Sequence, residues 1–160
     1  MKTYLLLFFL SPLFVCSQSN SLNFGTNNTL EVVTWNLEWF PKNGNITIDS
    51  LKSIIEKIDA DVYALQEIDN IGSFNVLKNQ LLGYSGLLKN TSNLNLAFLC
   101  KNSITVDSAY SILDDYDYVF AGRTPFVIDL NFNGMNISLF NNHFKCCGDG
   151  TLNTGDSSDE

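Results

Sequence analysis

Apolar and polar residues change rhythm several times along the 160-residue chain, and each change marks an element. Glu31 to Trp39 reads as a buried strand that turns polar only near its end, at Asn36 and Glu38. Pro41 to Asn45 is a loop. Leu51, Ile54, Ile55 and Ile58 then recur at helical spacing, with Thr47 or Asp49 as the candidate cap. Ala60-Asp61 ends that helix, and Asp61 to Ile68 is a second apolar strand, broken late by Gln66 and Glu67. The helical crossover allows these two strands to run parallel, with both polar ends at one edge.

A second helix is expected around Phe74, Leu77, Leu81 and Leu82. Shorter strands follow near residues 84–88, 93–100 and 103–108. Asp114, Asp115 and Asp117 lie in a charged loop, read as a solvated connection or, as the minority view, a cation-binding loop. Phe126 to Phe132 and Met135 to Asn141 are two strands joined by Asn133-Gly134, a strong two-residue hairpin signal. No internal repeat is present.

The ends differ from this pattern. Lys2, then the apolar run Tyr4 to Leu10, has signal-peptide form and is too short to span a bilayer. Cleavage is expected near Ser17, so residues 1–17 are read as a signal and 18–30 as a flexible lead-in. A lipoprotein signal acylated at Cys16 is the rival reading, disfavoured by the valine before it. Export would make the protein secreted or periplasmic, where disulfides persist. Three cysteines then remain, Cys100, Cys146 and Cys147, an odd number. No later segment is apolar enough to cross a membrane. The net charge of −8 argues against gripping a polyanion through the overall field. A phosphate substrate would need local positive groups or a bound cation.

The candidate chemistry lies where polar groups interrupt strands. Asn36, Glu38, Gln66 and Glu67 end the two parallel candidates. A buried carboxylate needs a cation or donor, and a hard cation such as Mg2+ takes oxygen ligands while keeping several waters. Ordinary solvated strand ends are the competing reading. His143, the only histidine, follows the last strand, and its pKa range suits proton transfer. Arg123, the only arginine, precedes the hairpin, and its planar fork suits phosphate oxygens. It could equally be a surface arginine beside the Asp114–Asp117 loop. Together these groups suit metal-assisted phosphoester hydrolysis. Zinc is disfavoured, because one histidine and adjacent cysteines lack its usual ligand spacing.

Four segments carry a resemblance: Thr-Trp-Asn-Leu-Glu at 34–38, Asp-Val-Tyr-Ala-Leu-Gln-Glu-Ile at 61–68, Arg-Thr-Pro-Phe at 123–126 and Asn-Asn-His-Phe at 141–144. In this order the chain resembles the endonuclease/exonuclease/phosphatase family over residues 31–147. The resemblance implies a DNase I-like four-layered α/β sandwich, two packed sheets flanked by helices. It implies cleavage of phosphoesters, in nucleic acid or another substrate, with Mg2+ (or Mn2+ or Ca2+). Carried over by position, Glu67 is the principal metal ligand and Glu38 stands near a second metal position. Asn36 orients the phosphate or a metal-bound water, and Gln66 supports the site. Arg123 contacts phosphate, and His143 assists the leaving group or holds phosphate.

The family's later Gly-Asp-x-Asn, a further Asp and the terminal Ser-Asp-His are not matched. Gly148-Asp149-Gly150 lacks the Asn, and Ser157 to Glu160 lacks the histidine. The chain is therefore expected to be the N-terminal part of such a domain, residues 31–160 with the C-terminal part missing, and catalytically incomplete as it stands. Two cysteine arrangements stay open: Cys146 or Cys147 bonds Cys100 or a cysteine elsewhere, or the adjacent pair bridges itself. The alternative functions are a phosphatase or lipid phosphodiesterase of the same fold, or a secreted binding protein without catalysis. No defined protein partner is indicated.

Overall fold

The computed structural model describes residues 25–92 and 94–144. The expected signal, Cys16, Cys146, Cys147 and the tail after them lie outside the described residues. Of the lead-in, residues 25–30 form a turn closed by Thr29 N–H on the Thr26 carbonyl at 3.0 Å.

The elements follow in the order β1 (Val32–Phe40), α1 (Asn45–Ile58), β2 (Val62–Ile68), α2 (Ile71–Gln80), β3 (Tyr84–Lys89), β4 (Asn95–Lys101), β5 (Thr105–Ser111), a one-turn 3-10 helix (Asp114–Tyr116), β6 (Phe126–Phe132) and β7 (Met135–Asn141). One sheet has the order β1-β2-β4-β3 and the other β5-β6-β7. β1 and β2 are parallel, as the helical crossover allowed; the other neighbours are antiparallel.

Local chemistry places the ends of these elements. Helix α1 starts at Gly44, whose φ of 59° no capping side chain would favour, so neither Thr47 nor Asp49 is its cap. Thr47 lies inside the first turn, where its hydroxyl accepts the Asn43 N–H at 3.0 Å. The helix ends on left-handed Asp59, whose N–H returns to the Ile55 carbonyl at 2.8 Å. Helix α2 is capped by the Asn70 side chain, which accepts from Ser73 N at 2.8 Å. It stops sooner than its apolar spacing suggested. Leu81 is buried just past the end, while Leu82, expected in the helix, is 89% exposed. Asn133 and Gly134 take φ of 50° and 82°, the pair of positive values the β6–β7 turn requires.

Two apolar layers share the four-stranded sheet. Ile48, Leu51 and Ile55 of α1 and Phe74 and Leu77 of α2 pack on Tyr63 and Leu65. Val62, Ala64, Leu96 and Phe98 face the second sheet's Phe126, Ile128 and Leu130. β2 and β4 thus bury both faces, which is why both read as nearly unbroken apolar runs. Three layers are therefore in view: helices, sheet and sheet. Among the described residues no helix is long and apolar enough to cross a membrane.

One polar residue interrupts the layer between the sheets. Ile137, Leu139 and Asn141 point inward from β7, and Asn141 is 1% exposed. Its Nδ2 donates to the carbonyls of Leu65 (2.9 Å) and Ala97 (3.0 Å), and its Oδ1 accepts from Gln66 Nε2 at 2.7 Å. Leu65 and Ala97 are the last paired residues before the β2–β4 register shifts, so the amide binds where the ladder breaks. Asn141→Leu strands these buried partners and should lower unfolding free energy by about 3 kcal/mol. Urea unfolding checks this; Asn136→Leu on the exposed face should change stability by about 0.5 kcal/mol or less. Equal small losses at both positions would contradict the pin.

Candidate functional site

The β1–β2 ladder also breaks near its end, between Asn36 and Phe40. Three non-glycine residues there, Glu38, Trp39 and Glu67, have positive φ of 48°, 62° and 61°. Such conformations cost of order 1–3 kcal/mol each and persist where surrounding bonds hold them. The bonds are present here. Asn36 Nδ2 donates to Glu67 Oε1 at 2.8 Å, and Trp39 N–H donates to Glu67 Oε2 at 3.2 Å. Asn36 Oδ1 accepts Glu38 N–H at 2.9 Å, which fixes the way the amide faces.

The second sheet supplies the other side. His143 lies two residues beyond Asn141, and its Nε2 is 3.2 Å from Glu67 Oε1. Arg123, on the turn before β6, is 7% exposed. Arg123 Nε and His143 Nδ1 are buried without a hydrogen-bond partner among the described residues. The surface-arginine reading is therefore overturned: the turn carries this guanidinium inward. Burial, and then the Arg123 charge, hold the imidazole below its ordinary pKa of 6.5, while Glu67 opposes them. An imidazole held below its ordinary pKa, a fixed carboxylate and a buried guanidinium share this end of the strands.

Asn36, Glu67 and His143 are thus joined directly, and Arg123 is coupled to His143 through its charge. Glu38 is not brought to the cluster. Its side chain is 70% exposed and ion-paired with Lys42, because the chain turns outward at Glu38 and Trp39. Gln66 lies behind the cluster rather than in it. It faces the second sheet, where its Nε2 donates to Thr34 Oγ1 (3.2 Å), the Ala64 carbonyl (3.0 Å) and Asn141. Among the described residues no three His, Cys, Asp or Glu side chains gather as a metal cluster. The Asp114 carboxylate is engaged by Ser111, Thr124 and Lys89, so the loop's first acid belongs to a protein network. Cys100 is buried between the sheets, and burial pushes its thiol up to about 11.

Asn141 was missed as a functional neighbour although its segment was noticed. Alternation from Ile137 and Leu139 would have placed it on the inner face. A cavity of about 240 Å³ opens beside Asn36 and Glu38, lined also by Trp35, Leu37, Leu51 and Ile54. A larger one, about 420 Å³, lies at the opposite end of the strands beside Glu31, Asp59, Asp61 and Lys101, away from the cluster.

The sequence profile of the Endonuclease/Exonuclease/phosphatase family matches residues 33–143. Comparison with curated protein sequences gives no match. Among solved structures, D. rerio TDP2 complexed with single strand DNA product is 18% identical, with a TM-score of 0.65 over 76% of this chain and 48% of its own. An endonuclease/exonuclease/phosphatase family protein from Leptotrichia buccalis is 18% identical, with a TM-score of 0.57 over 73% and 54%. AP endonuclease LMAP from Leishmania major is 16% identical, with a TM-score of 0.52 over 75% and 41%. The chain spans about half the length of the structures it matches. At these identities they show a shared fold, the DNase I-like packing of two sheets.

The single histidine makes the cluster's electrostatics measurable. NMR titration of its imidazole should give a midpoint below 6.5. Arg123→Met should raise that midpoint, and Glu67→Gln should lower it further. The sign for stability follows. With the folded pKa depressed, the unfolded state binds more protons, so His143 costs stability as pH falls through 6.5 toward the folded midpoint. A midpoint above 6.5 in the wild type would contradict the burial and the Arg123 coupling.

Proposed function

Because the chain belongs to the endonuclease/exonuclease/phosphatase family, we propose that Asn36, Glu67, Arg123 and His143 form one wall of a divalent-metal-dependent phosphoester hydrolase site. The observation that carries this reading is the junction of the Glu67 carboxylate with Asn36 from its own sheet and His143 from the other. A structural ion pair would not need a buried arginine with an unused donor beside it.

The donor set fits a hard cation. Glu67 offers carboxylate oxygens whose orientation Asn36 and Trp39 N–H fix, with room for further ligands on its lone pairs. Mg2+ commonly uses one or two carboxylates and keeps several waters. Glu67 would hold it, and Asn36 would steady the carboxylate and face the phosphate. When bound, the cation supplies Lewis-acid stabilisation of the phosphoryl oxygens. Arg123 adds a second positive group through its free Nε–H, binding and orienting the phosphate. His143 holds its Nε2 toward Glu67 and, in its protonated form, can give that proton to the leaving oxygen and become neutral; its lowered pKa makes this step favour the acidic side of neutrality. Glu38 remains at the rim on Lys42, so a role at a second metal position would require it to leave that pair.

A nuclease or phosphodiesterase is the favoured class. The D. rerio TDP2 structure contains a single strand DNA product, and its fold matches this chain. The net charge of −8 favours the second reading, a small phosphoester substrate, because the overall field would repel a polyanion. The same proposal includes export through the 1–17 signal, to a secreted or periplasmic location.

Plasmid DNA and bis-p-nitrophenyl phosphate incubated with the protein and Mg2+ test the reading and separate the two substrate classes. As one wall of the site, the protein should bind Mg2+ saturably through Glu67, and any cleavage should require the cation, stop with chelator and fall to background in Glu67→Gln. Asn36→Ala, which removes a group orienting the carboxylate, should cost about 10- to 100-fold. Cleavage that survives chelator or Glu67→Gln would overturn it. No cleavage together with no saturable Mg2+ binding would support a non-catalytic binding protein instead.

A further inference from the structure

Arg123 is held by its backbone. Its Nε has no partner among the described residues, yet the turn that carries it takes two successive positive φ values, 51° at Ala121 and 74° at Gly122. A turn so placed needs anchors. Gly122 N–H donates to the Asp117 carbonyl at 2.7 Å, and Arg123 N–H to the Phe120 carbonyl at 3.0 Å. A Cβ at Gly122 would come within 2.0 Å of Ser92 Oγ, so this turn sits tightly on the β3–β4 loop.

The next residue is tied to both sheets at once. Thr124, 3% exposed, donates its hydroxyl to Asp114 Oδ1. Lys89, at the end of β3, donates through Nζ to the Thr124 carbonyl at 2.9 Å and to Asp114 Oδ1 at 3.1 Å, and also meets the Thr124 hydroxyl. Ser111 Oγ donates to the other Asp114 oxygen at 2.6 Å. The Lys89 ammonium is thus spent on its neighbours and does not face the Glu67 cluster as a free cation. Hydrogen bonds from Ser111 and Thr124, then Lys89, hold the Asp114 carboxyl down at about 2. The carboxylate is charged wherever the protein would work.

We infer that Lys89, Asp114 and Thr124 form a latch that positions the Arg123 guanidinium for phosphate, with Lys89 and Asp114 as positioning residues that do not touch the substrate. This rests on the reading of Arg123 as the phosphate-binding group. The latch crosses between the sheets: Lys89 belongs to the first, while Asp114 and Thr124 flank β5 and β6 of the second. It lets an exposed carboxylate set the position of a buried guanidinium through the turn between them.

Charge alone and positioning predict opposite signs, which makes the latch testable. Asp114→Asn removes a negative charge, so a pure field effect would tighten anion binding. Loss of the latch would weaken it. The single arginine gives a unique Nε–H NMR signal, which inorganic phosphate should shift on titration into the whole protein. In Asp114→Asn the apparent Kd for phosphate should rise about fivefold, the weight of one hydrogen bond. Lys89→Met should weaken it in the same direction and Lys89→Arg should restore part of the loss. A retained thermal midpoint and amide spectrum would separate this from misfolding. Unchanged or tighter phosphate binding in Asp114→Asn overturns the latch, provided Arg123→Lys weakens binding. If Arg123→Lys leaves phosphate binding unchanged, both the latch and the phosphate role of Arg123 fall.

Discussion

The amide of Asn141 ties the two sheets to each other, and the positions of the chemical groups depend on that tie. Apolar contact between sheets is non-directional and tolerates sliding. A buried amide does not, because its donors and acceptor must all meet partners. Asn141 satisfies this only where its Nδ2 reaches the Leu65 and Ala97 carbonyls and its Oδ1 faces Gln66. Two residues later the chain delivers His143 to within 3.2 Å of Glu67. Gln66, which sequence placed beside the site, acts one step behind it. It joins Thr34 of β1 to Asn141 of β7 and so aligns three strands under the cluster.

The broken registers complete the arrangement. Strict alternation would send Glu67 to the face of Leu65, among the helices. Its left-handed backbone and the shift in both neighbouring ladders turn the carboxylate instead toward Asn36 and the Trp39 N–H. Bulges of this kind re-aim side chains at the ends of sheets. The same irregularity carries Glu38 outward to Lys42. One departure from regular pairing therefore selects which of two nearby carboxylates enters the cluster.

Much of this was legible in the chain. Period-2 and helical spacing placed the strands and both helices, and Asn133-Gly134 fixed the β6–β7 hairpin. Asn36 and Glu67 stand out as polar groups ending apolar runs, and Arg123 and His143 as the only arginine and the only histidine; the four motifs in order tie them together. Three things were not legible. The outward turn of Glu38 depends on backbone dihedrals that no side-chain pattern encodes. Helix α1 starts at Gly44 rather than at the cap candidates Thr47 or Asp49, and α2 stops at Gln80 although the apolar spacing continues through Leu81 and Leu82. The burial of Arg123 and the partners of Lys89 join residues far apart in sequence, and a single chain gives no sign of such pairings.

Three positive groups of this acidic protein lie near this end of the strands: Arg123 acts on His143 through its charge, Lys89 binds the Thr124 carbonyl and Asp114, and Lys42 pairs with Glu38. The central claim is that Glu67 holds a divalent cation beside His143 and Arg123. Mn2+ tests this most directly, since its unpaired electrons broaden nearby NMR signals steeply with distance. Substoichiometric Mn2+ should broaden the single imidazole and the single guanidinium signals together, and Glu67→Gln should abolish both effects. Broadening that spares these two signals, or that persists unchanged in Glu67→Gln, would contradict the account.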